Sequence, residues 1–425
     1  MTPPEVNVRI LLAVAVIIGV SRLVGWLAAC VGQPRVHGEI LAGILLGPSL
    51  LGLIWPEALD YVFPDEIVGA LKILAQIGLV VFMFLIGLEL DLDKLRGHGH
   101  KAVFISHASI IVPIGLGSLV AWWLYPRLGD GVDQLGFTLF MGAAMAITAF
   151  PVLARVLQET GLYRTRVGVL TVTCAAVDDV TAWCVLAVVV AVVKSTGPLD
   201  AVQIIGLSLV FLFVMLRVVR PFLMRQSELP VWAALALALI GAWVTEEIGI
   251  HAIFGAFMAG AVVPRRPEIQ MEIHDKLETT TLTLLLPIFF VVVGLATRVD
   301  MLDSLYLWGI TAVVIAAAIA GKWGGSMLAA RVTGESWQDA AAIGVLMNTR
   351  GLTELVILTV GLELGVITTT VFTIMVLMAL VTTLMATPAL ALVSPLYHRG
   401  MTPDEVEPSV DEDQDTPAPA SAPAA

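Results

Sequence analysis

Runs of about twenty apolar residues follow one another along almost the whole chain, at roughly 8–30, 37–55, 66–90, 102–124, 136–157, 165–193, 200–219, 229–248, 250–264, 277–297, 304–330, 337–362 and 367–393. At 1.5 Å of rise per residue, ~20 residues match a hydrocarbon core ~30 Å thick. In such a medium every backbone N–H and C=O must find its partner within the protein, and uninterrupted apolar runs of this length satisfy that demand as helices. With 58% hydrophobic and 14% charged residues, the chain lies well away from soluble composition. The sequence therefore predicts an all-α polytopic membrane protein of about 13 transmembrane helices, the ninth short, embedded in a lipid bilayer. Nothing in it suggests a nucleic-acid partner.

The first run, with Arg9 before it and Leu27-Ala28-Ala29-Cys30 at its end, has the outline of a signal peptide. Ser21 and Arg22 interrupt it and many spans follow, so it reads as the first transmembrane helix. Alternate loops differ sharply in basic residues. One set carries 15 Lys and Arg, among them Arg35, Lys94, Arg96, Lys101, Arg155, Arg164, Arg166 and Arg331, and the other carries four, Arg9, Arg127, Lys194 and Arg298. The positive-inside rule puts the first set in the cytoplasm, with the N-terminus outside, the C-terminus inside and the cell membrane as location. Residues 1–399 form the transmembrane domain, and residues 400–425, rich in Pro, Ala and acids such as Asp411, Glu412 and Asp413, read as a disordered cytoplasmic tail. That tail holds seven of the acids behind the net charge of -12. Cys30, Cys174 and Cys184 lie in apolar runs and read as buried free thiols.

Near the middle of the sixth run stands Ala175-Ala176-Val177-Asp178-Asp179-Val180-Thr181-Ala182-Trp183. An ionised carboxylate at the bilayer midplane is expensive, and such residues usually face a partner, a cavity or an ion path. Consecutive helical residues point ~100° apart, so one acid can meet a substrate while its neighbour meets a counter-charge. Acids held only by structural hydrogen bonds are the alternative.

Thirteen segments divide into six, a connector and six. Equivalent members then run in opposite directions, which gives two inverted six-helix repeats. The fifth member of each half is disrupted at its centre, by Thr148-Ala149-Phe150-Pro151 and by Asn348-Thr349-Arg350-Gly351. Proline removes a backbone donor and glycine tolerates an unwound backbone. Interruptions at matching places in inverted halves point to a transporter site at the midplane, with two ordinary kinks as the alternative. Lys322, in Ala320-Gly321-Lys322-Trp323-Gly324-Gly325, lies at similar depth, and Arg350 and Glu354 stand four apart, placed to form a structural ion pair. Lys72 and Arg22 lie nearer helix ends, where long side chains snorkel. Glu39, Glu246 and Glu247 read equally as vestibule acids or as solvated helix ends.

Four motifs carry a resemblance to a known family: Gln33-Pro34-Arg35-Val36-His37-Gly38-Glu39 running on to Gly47-Pro48-Ser49-Leu50-Leu51-Gly52, Phe84-Leu85-Ile86-Gly87-Leu88-Glu89-Leu90, Thr148-Ala149-Phe150-Pro151-Val152-Leu153-Ala154-Arg155, and Asn348-Thr349-Arg350-Gly351-Leu352-Thr353-Glu354-Leu355. Over residues from about 8 to 395 the chain resembles the monovalent cation:proton antiporter-2 family, nearest its plant cation/proton exchanger branch and bacterial relatives. The resemblance implies a sodium/proton antiporter fold, with a dimerisation domain and a core domain where two unwound helices cross, assembled as a homodimer. It implies that Asp179 is the shared cation and proton site and that Asp178 occupies the preceding position, Asn in electroneutral relatives and Asp in electrogenic ones. Lys322 corresponds to the lysine that pairs with that Asp, and Thr148 to the unwound stretch beside the monovalent cation. Pro151, Asn348, Thr349, Arg350 and Glu354 support the crossing. This chain carries Asp178-Asp179 where the plant branch carries Asn-Asp, so stoichiometry does not follow from the branch alone. Potassium-efflux relatives append a nucleotide-binding domain. Here the short tail and the lack of Gly-x-Gly-x-x-Gly lead us to expect no such domain in cis and no cofactor.

The function expected is exchange of Na+ or K+ for protons by alternating access, electrogenic on the strength of the double aspartate. An electroneutral K+/H+ exchanger and an acid-lined cation channel are the alternatives. An enzyme is not expected: a membrane aspartyl protease needs its two acids on different helices, whereas these are adjacent on one. The sequence leaves the choice between sodium and potassium open.

Overall fold

The computed structural model describes residues 3–31, 33, 35–89, 100–160, 162–163, 165–195, 198–226 and 228–393. The tail at 400–425, the loop charges Lys94, Arg96, Arg164 and Arg399, and the side chains of Pro151 and Arg155 lie outside the described residues. All regular structure among the described residues is helical. In chain order the helices are α1 (Pro3–Cys30), α2 (Arg35–Leu46), α3 (Leu51–Ile54), α4 (Pro56–Val62), α5 (Asp65–Glu89), α6 (His100–Leu128) and α7 (Gln134–Ala146). There follow α8 (Phe150–Glu159), α9 (Arg166–Lys194), α10 (Pro198–Val214), α11 (Arg220–Arg225), α12 (Val231–Ile248), α13 (Ala252–Ala261) and α14 (Pro267–Thr280). The last are α15 (Leu286–Ala296), α16 (Leu305–Ile319), α17 (Gly325–Val332), α18 (Trp337–Met347), α19 (Leu352–Glu363), α20 (Thr369–Leu384) and α21 (Ala386–Val393). Wide π turns at Met215–Val219, Thr281–Leu285 and Ala320–Gly324 join α10 to α11, α14 to α15 and α16 to α17.

Side-chain caps set several starts: Asp133, Thr165, Ser304, Ser336 and Thr368 each accept a backbone N–H from the first turn that follows. Ten stretches are long and apolar enough to cross a bilayer. The three remaining apolar segments are the ninth, expected to be short, and the two expected to be interrupted at their centres. The one at 250–264 forms the ten-residue α13, and those at 136–157 and 337–362 are each split, into α7 with α8 and α18 with α19. The second apolar run also stops short: α2 ends at Leu46, where Gly47-Pro48 follow and Pro48 has no N–H to extend the ladder.

The helices pack as two bundles. A companion bundle holds α1, α2, α5, α12, α13, α14 and α15, while a crossing bundle holds α6 to α9 and α16 to α21; α10 touches α9 on one side and α12 on the other. Each bundle thus draws on both halves of the chain. By the alternation of the helices, one face carries Arg35, Lys101, Arg166, Arg225 and Arg331, and the far face carries Lys194, Glu246 and Glu363. At the basic face Glu335 is buried and bound by Arg166 at 2.9 Å and Lys101 at 3.2 Å, which ties the starts of α6 and α9 to the turn before α18.

One reading about polarity is narrowed here and another corrected. Glu39, read equally as a vestibule acid or a solvated helix end, is 9% exposed and lies 3.6 Å from Arg22, which removes the solvated end. Among the thiols only Cys174 is buried; Cys30 and Cys184 are exposed. Lipid tails are as apolar as a protein core, so an apolar run does not reveal which of its residues face inward.

Glycines bring backbones into direct contact inside each bundle. A Cβ at Gly294 would stand 1.9 Å from the carbonyl oxygen of Gly43, at Gly255 1.9 Å from that of Gly241, and at Gly260 2.0 Å from that of Phe84. In the crossing bundle a Cβ at Gly361 would strike the Phe140 ring at 2.2 Å. For the described glycines of both bundles, the nearest atoms that such a Cβ would meet never belong to the other bundle. Helix propensity alone favours Gly→Ala by about 1 kcal/mol. Gly255→Ala should nevertheless lower the melting temperature in detergent, because overpacking costs about 1–3 kcal/mol. Gly69→Ala on α5, where a Cβ meets open space, should leave it unchanged or raise it; equal melting temperatures for the two variants would contradict this packing.

Candidate functional site

The two interruptions meet. α7 ends at Ala146, Ile147 turns to extended geometry, and α8 begins at Phe150, where Pro151 falls in the first turn and its missing N–H leaves no bond unmade. Opposite, α18 ends at Met347 and α19 begins at Leu352. The Ala149 N–H donates to the Thr349 carbonyl at 3.0 Å, so the unwound strands hydrogen-bond where the helices cross. The Thr383 hydroxyl donates to the Arg350 carbonyl at 2.8 Å, holding the second strand from α20.

Breaking α7 leaves its last carbonyls short of partners along the helix, Ala144 keeping only a 3.4 Å bond from the Ile147 N–H. Two cations take them. Arg350 donates from Nη1 to the Ala144 carbonyl at 3.3 Å and from Nη2 to the Met145 carbonyl at 2.6 Å, and Lys322 Nζ donates to the Ala146 carbonyl at 2.5 Å. Positive charge at a helix C-terminus also complements the helix dipole. Both side chains are fully buried, and each has its own carboxylate. Arg350 pairs with Glu354 at 3.0 Å, one turn along α19, and Lys322 pairs with Asp178 at 2.8 Å. Lys322 enters from the π turn at Ala320–Gly324.

The two aspartates have different surroundings. Asp178 is fully buried and saturated with donors: Ser106 donates to Oδ1 at 2.7 Å, while Ser109 at 2.5 Å and Lys322 at 2.8 Å reach Oδ2. Thr148 Oγ1 lies 3.0 Å from Asp178 Oδ2 and 3.2 Å from the Met347 carbonyl, and its single proton is shared between them. Asp179, 3% exposed, points elsewhere, and its buried Oδ1 has no hydrogen-bond partner. The Asn348 Oδ1, also buried, is likewise unpartnered. A buried charge without a hydrogen bond is unfavourable until something neutralises it.

The structure thus brings together Asp178, Lys322 and Thr148 directly, and places Thr349, Arg350 and Glu354 on the crossing that supports them. Of the two aspartates, the Thr148 hydroxyl reaches Asp178. Sequence reasoning missed Ser106 and Ser109, which stand three apart on α6 and so share a face. Two serines at that spacing inside an apolar run were the available signal. It also missed the backbone acceptors of α7, which no side chain advertises.

Comparison with known proteins bears on this arrangement. Residues 16–394 match the family model described as sodium/hydrogen exchanger, transmembrane. The chain is 43% identical over 398 residues to the Na(+)/H(+) antiporter NhaS4 of Synechocystis sp., across 91% of this chain and 97% of that protein. It is 37% identical to Cation/H(+) antiporter 19 of Arabidopsis thaliana and 34% identical to K(+)/H(+) antiporter 1 of Saccharomyces cerevisiae. Of those two it spans about half the length, 49% and 44%, with 90% and 86% of this chain aligned. In structure it is similar to the sodium proton antiporter MjNhaP1 from Methanocaldococcus jannaschii, with a TM-score of 0.64 over 92% of this chain and all of that one. At 17% identity that likeness is one of fold.

The geometry at Lys322 makes a stability prediction. Lys322→Met leaves the buried Asp178 carboxyl without its counter-charge, and breaking a buried pair costs about 3–5 kcal/mol. Adding Asp178→Asn to that variant should recover most of the loss. Melting curves of the two single variants and the double variant give the coupling directly, and additive losses would show that the pair does not hold the site together.

Proposed function

This chain belongs to the sodium/hydrogen exchanger family, and from that premise we propose that it exchanges a monovalent cation, Na+ or K+, for protons across a membrane by alternating access. The observation that carries the reading is the contrast between the acids. Asp178 has its full set of donors, whereas Asp179 Oδ1 is buried and unpartnered. A carboxylate in that position is neutralised by a cation or by a proton, one excluding the other, and that competition couples the two fluxes. Asn348 Oδ1, on the unwound strand of the crossing, is a second oxygen without a partner and is available to a cation.

Lys322 makes the exchange electrogenic. A cation at Asp179 repels the ammonium that pairs with Asp178, and at low local dielectric that repulsion is felt strongly. The lysine releases its proton as Asp179 releases its own, so two protons leave for one cation. Buried lysines lose their proton far more readily than exposed ones. Access alternates by rocking of the crossing bundle against the companion bundle, through which two copies form a homodimer. The basic face lies in the cytoplasm of a cell whose plasma membrane holds the protein, and the exchange serves pH homeostasis. One observation favours a second reading, an electroneutral K+/H+ exchanger in which the lysine is structural. Lys322 also donates to the carbonyls of Ser109 and Ala146, contacts that a lysine with no part in transport would keep as well.

In proteoliposomes, Asp179→Asn should reduce cation-driven proton flux to the level of protein-free vesicles while the melting curve stays cooperative, since an amide takes neither a proton nor a full cation charge near neutral pH. Exchange that persists with its normal pH dependence would remove Asp179 from the site. On a solid-supported membrane the wild type should give a cation-evoked charge displacement, with Na+ and K+ chlorides compared in turn. Asp178→Asn should move cation with that displacement lost; wild-type exchange without net charge movement would leave the electroneutral reading standing.

A further inference from the structure

Helix α9 carries Asp179 and runs on from there to the far face at Lys194. One turn beyond the carboxylate, Trp183 is buried and crosses to the companion bundle. Its ring meets Phe254 of α13 edge-on, with centroids 5.7 Å apart and planes at 87°, and Phe257 of the same helix at 6.2 Å. Three aromatic rings therefore fill the boundary between the bundles on the far side of Asp179. Toward the surface two side-chain contacts span the same boundary, a lysine–glutamate ion pair and a histidine–glutamate contact. Lys194 at the end of α9 lies 3.4 Å from Glu246 of α12, and His251, between α12 and α13, lies 3.7 Å from Glu363 at the end of α19. The other Glu246 oxygen accepts the Ala252 N–H at 2.8 Å, so the turn leading into α13 is anchored by the acid that takes the lysine. At that turn His251 has φ of 85°, the one positive φ among the described residues other than glycine. A left-handed conformation in a residue with a Cβ persists only where its surroundings hold it.

One feature makes this closure reversible. The Trp183 indole N–H is buried without an acceptor, an arrangement that disfavours the closed state because a buried donor has given up water for nothing. Parting the bundles would hydrate it. The aromatic contacts are dispersive and the two polar contacts are partly exposed, so each is individually weak and all can separate together.

We propose that Trp183, Phe254 and Phe257 form an outer gate that closes the route from the far face to Asp179, and that the Lys194–Glu246 and His251–Glu363 pairs are the latch holding it shut. The proposal rests on the alternating-access reading above and assigns residues to one of its two closures. These are positioning residues: they set when the site is open, and they do not touch the cation.

The test is accessibility. Ala182 lies three residues beyond Asp179 on α9 and is buried. Ala182→Cys is placed in a background with Cys30→Ala, Cys174→Ala and Cys184→Ala, and a membrane-impermeant maleimide is added to right-side-out and, separately, to inside-out vesicles. From the far face, labelling should be slow with Trp183 present, at least tenfold faster with Trp183→Ala, and slow again with Trp183→Phe. Glu246→Gln combined with Glu363→Gln should speed it several-fold, and this variant tests the latch even if Trp183→Ala does not insert. Unchanged far-face labelling in the latch variant or in an inserted Trp183→Ala overturns the gate. Cation-driven proton flux is measured on the wild type reconstituted in parallel. Its absence would instead overturn the antiport reading, and flux together with unchanged labelling would overturn the gate alone.

Discussion

The site depends on what happens where α7 stops. Ending a helix inside a low-dielectric bundle leaves carbonyls that water would otherwise satisfy. Here Arg350 and Lys322 supply the missing donors, at Ala144, Met145 and Ala146. Their charges must in turn be matched, by Glu354 and by Asp178. Remove the interruption in α7 and both cations lose the carbonyls they cap, leaving Lys322 with Asp178 and the Ser109 carbonyl and Arg350 with Glu354. Remove either cation and the interruption is left with unsatisfied acceptors. Broken helix, buried cations and structural acids form one mutually dependent set, and Asp179 stands beside it with an oxygen to spare.

On the exchange proposed above, this dependence explains why two acids stand side by side on α9. If Asp179 binds and releases a charge, it cannot also be the main partner of a buried lysine without losing one of those roles. Neighbouring positions ~100° apart let one helix serve both without adding a second charged segment to the membrane. Ser106, Ser109 and Thr148 fix the rotamer of Asp178, which keeps the pair with Lys322 short while leaving its neighbour undisturbed.

Much of this was legible in the sequence, for identifiable reasons. The spans follow from the length of the apolar runs. The interruptions follow from Pro151 and Gly351, and the depth of Asp178, Asp179, Lys322 and Arg350 follows from their positions within those runs. What the sequence withheld belongs to tertiary contact. Which acid faces the lysine depends on the rotation of α9, and which carbonyls receive Arg350 depends on where two unwound strands cross. Glu39 stayed open between a vestibule acid and a solvated helix end because Arg22, which it meets, lies on another helix. Cys30 and Cys184 read as buried because hydropathy does not separate a surface against lipid from a surface against protein.

The glycines have a consequence for how such a protein can change over time. Within each bundle they interlock backbone with backbone, while among the described glycines none makes such a contact between the bundles. Side chains such as Trp183 against Phe254 and Phe257 meet across the boundary, and side chains can be exchanged without rebuilding a helix. On the exchange proposed above, substitutions at the interlocked glycines are therefore felt as folding defects, and substitutions of side chains along the boundary as changes in turnover. Speed and durability then draw on different residues, so that a lineage can retune one to a new salinity or acidity while the other stays as it was.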